Sequence, residues 1–158
     1  MDDARTHAPQ GRRLIIGIGN RDRGDDAVGR VVAERLRDYD IPNMEIFEES
    51  GEAARLLDCF AGADIVWLLD AAMSGAPIGT IQCFDVSSAP LPQGKTFVST
   101  HGFGLAEAIE LARALKRLPR RCIVYTVEIS SCEIGAPLTP EVAAGAQELL
   151  ARLCTEVR

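Results

Sequence analysis

The side chains best placed to do chemistry are Asp25 and Asp26 in the run GIGNRDRGDDAVG, Asp70 at the end of DIVWLLD, and His101 in STHGFG. Asp26, Asp70 and His101 together make a three-ligand set with open positions, suited to a borderline divalent ion such as nickel, zinc, manganese or iron. The same groups suit acid–base work on water. The sequence holds 2 histidines, and the other, His7, sits in a polar leading segment where no fixed geometry is expected.

Each of these residues also has a plainer role open to it. An Asp at a helix start ordinarily caps the helix or faces the positive end of its dipole; Asp25 suits the cap and Asp26 the crevice. Asp70 closes an otherwise apolar strand, where a carboxylate is costly unless it is paired, metal-bound or hydrated. His101 lies between Ser99-Thr100 and Gly102, a setting that also suits a hydrogen-bonded loop histidine.

What the three share is their place on the elements that must carry them. Short apolar runs alternate with helical periodicity along the chain, the mark of β and α units in turn. Strands are expected over residues 14–18, 44–47, 64–70, 80–86 and 121–129, the fourth near a sheet edge and open to antiparallel pairing. Helices are expected over residues 26–39, 53–60, 104–115 and from Thr139-Pro140 to about residue 153, the last with Thr139 as N-cap. For residues 104–115 the inward face is read as Leu105, Ala108, Leu111, Ala112 and Leu115. The fold class that follows is a three-layer α/β/α sandwich around a mostly parallel sheet of about five strands. In such a sheet the loops leaving the carboxyl ends share one rim. Asp26, Asp70 and His101, far apart in sequence, all fall on it.

Composition narrows the field further. With 158 residues, 47% hydrophobic and 25% charged, the chain suits one globular domain. Residues 1–11 read as a flexible tail and residues 12–158 as a single α/β domain. The net charge of -6 opposes attraction to nucleic acid or anionic membranes, and neither partner is expected. No apolar run is long enough for a membrane span, so a soluble, cytoplasmic protein is expected. The 5 cysteines include no C-x-x-C pair and fit neither a disulfide framework nor a zinc ribbon. Cys59, Cys83, Cys122 and Cys154 read as buried small hydrophobes, and Cys132 as a loop residue.

Several familiar sites are absent. GIGNRD begins like a dinucleotide fingerprint, but Asp22 stands at the third glycine position, where a carboxylate repels a pyrophosphate. There is no G-x-x-x-x-G-K-[ST] loop, no G-x-S-x-G elbow and no H-E-x-x-H helix.

The motifs GIGNRDRGDDAVG, LLDAA and STHGFGLAEAIELARAL, in this order and at these intervals, resemble the hydrogenase maturation endopeptidases over nearly the whole chain after the tail. The resemblance implies a peptidase that removes the C-terminal extension of a nickel-iron hydrogenase large-subunit precursor once nickel has been inserted. It implies that Asp26 and Asp70 are the two acidic ligands and His101 the histidine, with the nickel belonging to the precursor rather than resident in the enzyme; an aspartyl-type use of either acid on water stays open beside Lewis-acid chemistry by the metal. A monomer acting on that precursor is expected. The chain departs from the family after the second strand, where EESGEAARLLD stands in place of a glycine-threonine turn. A different precursor, or a metal- or partner-binding paralogue without cleavage, therefore stays open.

Overall fold

A computed structural model describes residues 11–92, 96–97, 104–130 and 132–158. The most apolar segments form the middle of a sheet: β1 (Arg12–Ile18), β3 (Ala63–Met73) and β6 (Arg121–Glu128), flanked by β2 (Met44–Glu49) and β4 (Ile81–Asp85) in the order β2-β1-β3-β6-β4. β2, β1, β3 and β6 run parallel, and β4 closes the edge antiparallel to β6. A two-residue strand, β5 (Thr96–Phe97), pairs antiparallel with Ala72 and Met73.

Strands covered on both faces need apolar side chains at odd and even positions alike. β1 shows the result: Ile15 joins one core with α1 (Val28–Leu36) and α4 (Pro140–Glu156), while Leu14 and Ile16 join another with α2 (Ala53–Phe60) and α3 (Leu105–Ala114). Leu14, Ile15 and Ile16 are fully buried, and burial of each side chain is worth about 1.5–3 kcal/mol. The three-layer sandwich expected from the sequence is the fold observed. Among the described residues no helix is long and apolar enough to cross a membrane.

Three local expectations need correction. β3 does not end at Asp70 but continues to Met73, because β6 keeps pairing with it through Asp70↔Thr126, Ala71↔Val127 and Ala72↔Glu128, and β5 pairs with Ala72 and Met73. In α3 the buried stripe is Leu105, Ala108, Ile109 and Ala112; Leu111 and Leu115 face outward, as a 3.6-residue repeat from Leu105 requires. Cys83 is exposed on edge strand β4, whereas Cys122 is buried and Cys59 and Cys154 are half-buried.

Candidate active site

β1 and β3 are neighbours, but β1 leads to β2 on one side and β3 lies on the other. That divergence makes a crevice at the carboxyl end, where open α/β sheets place their ligands. The last β1–β3 pair is Gly17↔Leu69, so Asp70 lies one residue beyond the reach of β1 and beside the turn that leaves it.

That turn is shaped by glycines. At Gly19, φ is +140°, and a side-chain carbon would lie 2.0 Å from the Asp26 carbonyl oxygen. Gly29 lets the first turn of α1 sit directly on the strands, since a side-chain carbon there would come within 2.2 Å of the Leu69 carbonyl and 2.7 Å of that of Ile18. Asn20 folds the loop back by accepting the Asp22 N–H at 2.9 Å. A 3-10 turn, Gly24–Ala27, then carries Asp25 and Asp26 inward, each 1% exposed.

The two acids meet different fates. Asp25 accepts the Thr139 N–H at 2.7 Å, and the Thr139 hydroxyl lies 3.1 and 3.0 Å from its two oxygens. It therefore ties the β1–α1 turn to the entry of α4 instead of capping its own helix, and Thr139 spends its hydroxyl there instead of on a cap of α4. Asp26 receives the Asn20 N–H on Oδ2 at 3.0 Å, while its Oδ1 is buried without a partner. Burial pushes its carboxyl up, opposed by the Asn20 N–H and the charge of Arg23.

Asp70 is 2% exposed, and its Oδ1 accepts the Ala71 N–H at 2.8 Å. Burial drives its carboxyl well above the ordinary Asp range, and the negative charge of Asp26 pushes the same way. The fold thus brings Asp26 and Asp70 into one poorly solvated crevice. His101 lies outside the described residues. Among the described residues no group of three or more His, Cys, Asp or Glu is placed to hold a metal ion, so Asp26 and Asp70 form a pair rather than a complete ligand set there.

Two further carboxylates at the same end of the sheet are not evident from motif reading. Glu128, 4% exposed at the end of β6, accepts the Ser74 N–H at 2.6 Å, the Ser74 hydroxyl at 2.8 Å and the Gly75 N–H at 2.9 Å. An acid ending an apolar strand was the signal that singled out Asp70, and it applies equally to Glu128. Glu48, at the end of β2, is gripped by Arg21, Arg30 and Arg37, a pairing that no sequence spacing announces. Cys132 is a poor nucleophile, since burial and the neighbouring Asp26 push its thiol up.

Fold and crevice together define a doubly wound α/β protein with a pair of buried acids at its switch point. Residues 30–156 match the family model described as hydrogenase maturation protease, and the chain belongs to that family of endopeptidases. It is similar to an endopeptidase from Escherichia coli, with a TM-score of 0.78 and 26% identity, covering 93% of this chain and 92% of that one. The [NiFe] hydrogenase maturation protease HycI from Thermococcus kodakarensis gives a TM-score of 0.71 and 27% identity over 92% of this chain and 91% of that one. The hydrogenase expression/formation protein HupD of Thiocapsa roseopersicina is 26% identical over 132 residues, 82% of this chain and 60% of that relative's length.

Proposed function

We propose that the chain is a processing endopeptidase that removes the C-terminal extension of a nickel-iron hydrogenase large-subunit precursor after nickel insertion. Asp26, Asp70 and His101 contact the precursor's nickel, so the metal in the substrate is the recognition element. The observation that carries this reading is the Asp26–Asp70 pair: two acids in one buried crevice, each raised by burial, with Asp26 Oδ1 left without a partner. A cation arriving on the substrate offsets their repulsion and desolvation.

Two routes to scission follow from this arrangement. In one, nickel polarises the scissile carbonyl or a water as a Lewis acid. In the other, Asp26 or Asp70 takes a proton from the attacking water while the metal holds the peptide in place. Exchanging the metal changes the chemical rate in the first and chiefly binding in the second.

The test is mass spectrometry of nickel-loaded precursor before and after incubation. The wild-type chain shortens the precursor at its C-terminus; Asp26→Asn and Asp70→Asn each slow this by roughly 100-fold or more, the scale of a lost acid–base group, and His101→Ala weakens capture. A precursor that binds but keeps its C-terminus makes the chain a binding module instead.

A further inference from the structure

Arg23 is the N-cap residue of the 3-10 turn that carries Asp26, and its carbonyl accepts the Asp26 N–H at 3.1 Å. The side chain is half-buried, and its Nε is out of solvent with no hydrogen-bond partner. Asp26 Oδ1 is in the same condition. Structural ion pairs in this protein close directly: Arg12 on Glu45 at 2.7 Å, Arg120 on Asp64 at 2.9 Å. Arg23 and Asp26 do not close, although the guanidinium is near enough for its charge to favour the ionised Asp26. A permanent cation is thus held at the start of the turn that carries Asp26, uncommitted to any bond through its Nε, while Asp26 Oδ1 is also uncommitted.

We propose that Arg23 is a specificity residue of the crevice, a tethered cation that weakens the capture of free divalent ions by Asp26 and Asp70. A free ion gains only the crevice ligands and must bear the repulsion of the guanidinium. An ion carried by the precursor arrives with a protein surface whose contacts over the rim offset that repulsion, so discrimination comes from a repulsive element as well as an attractive one. This inference rests on the reading of Asp26 and Asp70 as metal-recognising acids.

Calorimetric titration of the full chain with nickel chloride tests it, using wild type, Arg23→Gln, Arg23→Lys and Asp26→Asn. Arg23→Gln should bind nickel roughly tenfold more tightly, the scale of one like charge felt through water-like screening. Arg23→Lys should keep the wild-type affinity, and adding Asp26→Asn to Arg23→Gln should abolish the gain. If Arg23→Gln does not fold, Arg23→Met removes the charge while keeping the stem and must show the same gain. Unchanged or weaker nickel binding in the neutral variant, or an equal gain in Arg23→Lys, overturns the role of Arg23 while Asp26-dependent cleavage of the precursor still stands. Nickel binding and precursor cleavage that are both indifferent to Asp26→Asn overturn the reading beneath it as well.

Discussion

Asp70 and Glu128 sit on adjacent parallel strands, two register positions apart at the same end of the sheet, and both are buried. Glu128 receives two N–H groups and a hydroxyl from the Ser74–Gly75 turn. Asp70, among the described residues, receives one N–H, from the residue next to it in the chain, and faces the like charge of Asp26. Burial alone therefore does not distinguish the two acids; the supply of donors does. A carboxylate with its lone pairs met holds a turn in place, whereas one left short of donors remains available to a cation or a proton. Asp25, held by Thr139, sides with Glu128, and Asp26 sides with Asp70.

Glu128→Ala tests the structural side of this contrast and carries the largest expected effect on folding. It strands the Ser74 and Gly75 N–H groups, and unfolding in urea should show a loss of about 3 kcal/mol, while cleavage per folded molecule persists. A loss below about 0.5 kcal/mol would mean that the donor count does not mark structural acids. Thr139→Val comes next. It removes the hydroxyl but keeps the Thr139 N–H on Asp25 at 2.7 Å, so the cost should be only about 1 kcal/mol. Cleavage lost from molecules that stay folded would move Asp25 to the functional side.

The same contrast explains what was legible in the sequence. Apolar runs and helical repeats give the sandwich, and they fail in detail where packing sets the phase, as at Leu111 against Ile109. The end of β3 is misjudged because an acid after an apolar run looks like a strand end, yet the register with β6 carries the ladder on to Ala72. Asp26 stands out by its place in the turn from a strand into a helix, and Asp70 because an acid at the carboxyl end of a buried strand is costly; both rules are blind to partners. They give no means of knowing that Glu128 is satisfied by a turn more than 50 positions away, or that Asp25 is satisfied by Thr139, 114 positions further along the chain. Tertiary donors decide the role, and sequence proximity does not display them.

The smallest effect expected is also the one with a distinctive sign. Because burial and the charge of Asp26 raise the Asp70 carboxyl in the folded chain above its ordinary value of 3.8, the folded state holds a proton that the unfolded state releases. Below that ordinary value both states are protonated and Asp70 carries no ionisation penalty. As pH rises from there toward the raised folded value, the unfolded state loses its proton first and stability falls. Asp70→Asn cannot ionise, so in metal-free buffer it should be as stable as wild type near about pH 4 and more stable near about pH 7, with the gap opening as pH rises. Thermal melts at the two pH values read this directly. A variant destabilised equally at both would place Asp70 with Glu128, as a carboxylate whose value lies in the hydrogen bonds it accepts. A gap that opens with pH, together with lost cleavage, would show that the crevice gives up stability in its resting state for an acid held ready for a cation.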